Sequence, residues 1–93
     1  MIEEWKYAVV NLADNSTTVS SKPALLHAIY VNTAFSAHQV SVEDAATAVF
    51  LLPAGSPIGD KFCFNTRFET SLIIDPDDAA TGNITVMYRD LRA

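Results

Sequence analysis

The chain has one cysteine, Cys63, so no disulfide can staple it from within. Its three glycines, at 55, 59 and 82, are too dispersed to form the glycine-rich loop that cradles a phosphate. Positive charge is scarce: six Lys and Arg stand against 11 Asp and Glu, for a net charge of −5. Nucleic acid needs a basic stripe, and Arg67, Arg89 and Arg92 do not form one. The longest apolar run, 48–52, stops at Pro53 and is far too short for a membrane-spanning helix. Met1-Ile2-Glu3-Glu4-Trp5-Lys6 has neither a basic stretch nor an apolar one, so no secretory leader is expected. A lone thiol fits synthesis in a reducing compartment. Partners that are acidic polymers or membranes are therefore not expected.

What is present is apolar content. Hydrophobic residues make up 49% of 93 positions, in a chain with room for one domain, residues 1–93. A domain this small buries only about 60–65% of its unfolded surface, so its own core is marginal. Association with other chains extends such a core, although abundant alanine accounts for part of the apolar excess.

Turn residues recur about every ten positions, and no helical period appears between them. Residues 5–12 alternate as a first strand, 17–20 form a short polar second, and Pro23 marks a break. Residues 24–32 read as strand because Ile29, Tyr30 and Val31 are β-branched or aromatic. His38, Val40 and Val42 alternate with Gln39, Ser41 and Glu43. Residues 47–52 are apolar on both faces, which predicts a central strand. Ile58, Phe62 and Phe64 share one face of a strand over 58–64, with a turn at Asn65-Thr66. Thr70, Leu72 and Ile74 share a face, as do Ile84, Val86 and Tyr88, with a tight acidic corner between the two runs. The expectation is an all-β chain: a single small β-sandwich, jelly-roll-like, of about eight short antiparallel strands. Its core should hold Val49, Leu51, Phe62, Phe64, Leu72, Ile74, Ile84 and Val86.

Residues that could carry chemistry do not fall into reactive patterns. Asp75, Asp77, Asp78 and Asn83 cluster oxygens, but their spacing does not fit a calcium loop and Pro76 restricts their convergence. They read as a solvated turn. His27, His38 and Cys63 lack the spacing of a metal site or a nucleophile–base pair. Neither catalytic residues nor metal or other cofactors are expected. Asn15-Ser16-Thr17 and Asn83-Ile84-Thr85 fit the glycosylation pattern, but without a leader they read as chance. Trp5, Tyr7, Tyr30 and Phe35 are the candidate interface, with core burial as the plainer reading of each.

Residues 25–33, the break Leu52-Pro53-Ala54-Gly55 and the ending 69–88 resemble short all-β structural proteins of tailed phages of marine bacteria and cyanobacteria. The most specific element of the resemblance is 70–85, and the whole covers roughly residues 5–90. It implies a non-enzymatic virion component made in the host bacterial cytoplasm. Within that class it implies a capsid decoration (cement) protein, a homotrimer that binds the major capsid protein or other virion proteins at subunit junctions. Glu3, Glu4, Glu43 and Asp44 would then lie at the rim or face basic capsid groups. The alternative is a carbohydrate- or protein-binding β-module of a tail or fibre. A small enzyme with a cupin-like metal site ranks last, because the histidine spacing it needs is missing.

Overall fold

A computed structural model of the chain describes residues 5–13, 16–36, 39–76 and 80–91. Eight strands follow one another: β1 (Lys6–Asn11), β2 (Thr17–Ser20), β3 (Ala24–Thr33), β4 (Val40–Asp44), β5 (Thr47–Leu52), β6 (Lys61–Phe68), β7 (Leu72–Pro76) and β8 (Asn83–Asp90). They form two four-stranded antiparallel sheets, in the orders β1-β8-β3-β6 and β2-β7-β4-β5. Only the β4–β5 turn at Ala45-Ala46 joins neighbours in the same sheet. Around it each strand pairs with its mirror image in the sequence: β4 with β5, β3 with β6, β2 with β7 and β1 with β8. The chain is one long hairpin rolled over itself, which is the jelly-roll wrap.

Alternation drives the roll. Ile84 and Val86 of β8, Leu72 and Ile74 of β7, and Val40 and Val42 of β4 point between the sheets and are fully buried. Val10, Leu12, Ala24, Leu26, Ile29, Val31, Phe35, Leu52 and Phe68 belong to the same core. Four of the eight core positions expected from sequence, Leu72, Ile74, Ile84 and Val86, are fully buried. Phe62 and Phe64 pack against the core half-buried, beside Phe50, closing the side of the sandwich between edge strands β5 and β6. The Phe50 and Phe64 rings lie 4.3 Å apart.

Val49 and Leu51 do not belong to the core. They are 40% and 57% exposed, and β5 is an edge strand rather than a central one. The cause is register. Leu52 lies opposite Val40 and Phe50 opposite Val42, and cross-strand partners share a face, so Phe50 and Leu52 go inward, Leu51 goes outward, and Val49 sits in the register shift that follows.

Two more expectations change for local reasons. β6 begins at Lys61, leaving Ile58 exposed in the preceding loop, and it runs through Asn65-Thr66 to Phe68. Asn65 takes a positive φ of 48° inside the strand, in a register shift where Phe64 and Asn65 stand against the single residue His27 of β3. Asparagine tolerates that conformation, so the residues bulge instead of turning. Thr70 lies in the bend before β7, not on its face. β7 and β8 sit in different sheets and do not pair with one another as a hairpin. Asp77 and Asp78 of the expected acidic turn, together with Glu3, Glu4 and His38, lie outside the described residues.

Candidate interaction surface

Odd-numbered residues of β1 point away from the core, because Val10 and Leu12 point into it. That parity places Trp5, Tyr7 and Val9 on the outer face, 49%, 73% and 58% exposed. The register carries the face across the sheet. Tyr7 lies opposite Met87, and Val9 opposite Thr85. Thr85 in turn lies opposite Tyr30 of β3, which is 39% exposed, and Tyr30 opposite Lys61 of β6. Three of the four candidate interface residues thus share one surface, Trp5 just before β1, Tyr7 on it and Tyr30 on β3.

Phe35 does not join them. It is 6% exposed, in the link after β3, and its backbone N–H donates to Ser56 O at 2.9 Å. Sequence reasoning left out Val9, although the parity of Trp5 and Tyr7 already put it on their face. Leu51, Val49 and Ile58 are further exposed apolar residues outside that expectation.

Polar groups on this outer face are tied to one another. The Asn32 Nδ2 group donates to Asn83 Oδ1 at 2.9 Å and to Thr85 Oγ1 at 2.7 Å, spanning β3 and β8. Trp5 is held down from two sides. The Arg89 guanidinium lies 4.9 Å from its ring centroid, and the His27 ring lies 5.0 Å away. His27 Nδ1 is 2.7 Å from Asn65 Oδ1, so the bulges of β3 and β6 meet in one contact. The described outward positions of these four strands carry no carboxylate, in a chain with 11 of them.

The opposite sheet differs. Glu43 of β4 and Asp75 of β7 lie on neighbouring strands, and burial together with the Asp75 charge raises the Glu43 carboxyl above its ordinary value. Asp44 does not serve as a free rim acid. Its carboxylate accepts the backbone N–H groups of Glu69, Thr70 and Ser71 at 2.8, 2.9 and 3.2 Å. The Ser71 hydroxyl accepts from Ala45 N at 3.1 Å, so the β6–β7 bend is lashed to the β4–β5 turn. Those donors hold Asp44 below its ordinary pKa of 3.8. Asp90 is held low as well, first by the Lys6 ammonium at 2.8 Å and then by the Ser20 hydroxyl at 2.6 Å, a contact that reaches the other sheet.

Both depressed carboxylates contribute stability that is present at neutral pH and lost as pH falls through their folded-state values. Glu43 works the other way, and its burden lifts on acidification. Asp44→Ala should therefore lower stability by about 1–2 kcal/mol at pH 7, the scale of a lost backbone-capping carboxylate. Urea denaturation at pH 7 and at about pH 2.5 checks this: the gap between variant and parent should narrow in acid.

Among the described residues no group of three or more His, Cys, Asp or Glu could hold a metal ion. Cys63 points outward on β6 opposite Ala28, exposed, with Phe62 and Phe64 facing inward on either side. No described helix is long and apolar enough to cross a membrane. No family model, curated protein or solved structure matches the chain. The arrangement offers an aromatic, carboxylate-free surface suited to burying area against another molecule.

Proposed function

We propose that the chain is a non-enzymatic structural protein of a phage virion, in its most specific form a capsid decoration protein that stabilises the head at subunit junctions. The observation that carries this reading is the outer face of β1-β8-β3-β6, where Trp5, Tyr7, Val9 and Tyr30 stand exposed without a carboxylate among them. Exposed aromatic residues are enriched in the cores of protein–protein contacts. A monomer gains nothing from keeping them wet. The acidic pair on the other sheet, Glu43 and Asp75, gives a second surface that basic shell groups can approach.

The jelly roll serves proteins of many functions, capsid and lectin domains among them, so the fold alone carries little weight. Attachment to a shell multiplies a modest contact over many copies. Sedimentation of the purified protein with emptied phage heads tests the proposal. The protein should pellet with the shells at low ionic strength and release as salt rises. Protein that stays in the supernatant at every salt concentration would contradict it. Binding to a glycan array without binding to shells would favour the tail or fibre module instead.

A further inference from the structure

The two sheets have four edge strands: β1, β6, β2 and β5. Natural sheets guard their edges with charge, bulges, proline or shortness, because an open edge offers unpaired N–H and C=O groups to any strand that arrives. Three of these edges are guarded. β2 has only four residues and a register shift between Thr18 and Ser20. β5 bulges at Val49, where the register shifts between Val42 and Glu43. β6 shifts opposite His27, turns Asn65 to positive φ, and carries Lys61 and Arg67.

β1 has none of these devices. It pairs with β8 without interruption from Lys6↔Tyr88 to Asn11↔Asn83 and contains neither proline nor carboxylate. Its one charge, Lys6, is bound to Asp90. Its outward side chains, Tyr7 and Val9, are among the most exposed apolar residues of the chain.

We propose that the free edge of β1 is a self-association site, where a second copy adds its own β1 antiparallel and joins two four-stranded sheets into one of eight strands. The sequence of β1 itself favours a copy over a foreign strand, and neither charge nor ordering opposes the contact. Two chains of net charge −5 repel, yet they can meet along β1, which presents no uncompensated charge. The strand is self-complementary: a two-fold axis at Ala8 sets Tyr7 opposite the partner's Val9 twice over, an aromatic–β-branched pair of the stabilising kind. That register also keeps Lys6 to Val10 within the paired stretch, whereas an axis at Tyr7 shortens it and an axis at Val9 sets Tyr7 against Asn11. Trp5, pinned by Arg89 and His27, is already ordered beside the contact and loses little freedom on association. The contact is independent of the virion reading, and its symmetry is two-fold where the phage resemblance implies three.

Two short strands and these side chains cover under roughly 1,200 Å² in total, the class of weak contacts, so the dimer should dissociate in the micromolar range. Sedimentation equilibrium from about 1 to 500 µM should show a monomer–dimer equilibrium. Val9→Lys should weaken it at least about tenfold by placing two charges along the edge, with the melting temperature at low concentration unchanged. Tyr7→Lys, at a still more exposed position, is the second test should Val9→Lys disturb folding. Ala8→Cys in a Cys63→Ser background should oxidise to a covalent dimer, because paired residues on adjacent strands lie within disulfide reach. A monomer throughout the range, a trimer, or a dimer indifferent to both lysine variants would overturn the proposal. So would failure of the cross-link in solutions that contain dimer.

Discussion

Phe68→Ala should cost about 3–5 kcal/mol, the largest effect of any single truncation in this chain. Phe68 is the largest of the fully buried side chains, and it lies at the end of β6 opposite Ala24, where β3 begins. Its ring centroid is 6.4 Å from that of Phe50, which connects it to the aromatic group closing the β5–β6 side. A cavity there has few ways to collapse, because the neighbours are strand residues fixed by their ladders. A domain of this length has a total stability of about 5–14 kcal/mol, so the loss takes a large share of it. Thermal denaturation should show a fall of roughly 15–30 °C in Tm. Leu51→Ala, at a residue expected in the core and found on the surface, should change Tm by no more than about 2–3 °C. The two variants together test the inward parity of β5 and β6.

Gly82→Ala should cost about 2–4 kcal/mol, far more than the removal of a hydrogen suggests. Gly82 has φ of 130°, a region that L side chains rarely adopt. A Cβ there would sit 3.1 Å from Ala34 O, 3.2 Å from Thr33 O and 3.3 Å from Leu12 Cδ1. Its carbonyl also accepts Leu12 N at 3.0 Å, so the chain cannot move aside without opening the junction of β1, β3 and β8. Gly55→Ala is the control. Gly55 also has positive φ, 72°, but nothing lies within 4 Å of its Cβ position, so only the backbone term of about 1 kcal/mol remains. Urea midpoints of the two variants at pH 7 should separate clearly, and equal midpoints would mean that the close approach at Gly82 is not felt.

Neither site was legible in the sequence: the strand expected over 58–64 stops short of Phe68, and Gly82 stood out only as one of three dispersed glycines. Alternation was readable: Ile84 stands between Asn83 and Thr85 and shares its face with Val86, while Leu72 and Ile74 share the face opposite Ser71 and Asp75, and all four go inward. β-branched and aromatic content placed 24–32 in a strand despite its helix-compatible leucines and alanines, and β3 runs one residue further, Ala24–Thr33. Residues 47–52 were legible as a strand but not as a face, since both parities are apolar. Only the pairing with Val40 and Val42 chooses between them. The bulge that joins His27 to Asn65 is likewise a property of two strands at once, and neither local sequence announces it. Asp44 looked like one more turn acid. Its role depends on the β6–β7 bend arriving beside it, 25 residues later in the chain.

The surface follows the same logic. Trp5 and Tyr7 are two positions apart and share a face by strand geometry, which was readable. Tyr30 joins them only because β8 inserts between β1 and β3, an order that the rolled topology creates. Phe35 has the same composition signal, yet it sits in a link drawn over the core by the bonds of residues 35 and 36 to Ser56 and Thr81.

In the proposed virion role the chain acts by covering and being covered. The most direct test of that role is the copy number of the protein in purified phage particles, measured by quantitative mass spectrometry on heads and tails separated from one another. The account predicts the protein in the head fraction, at a fixed ratio to the major shell protein. Its absence from both fractions would contradict the proposed role.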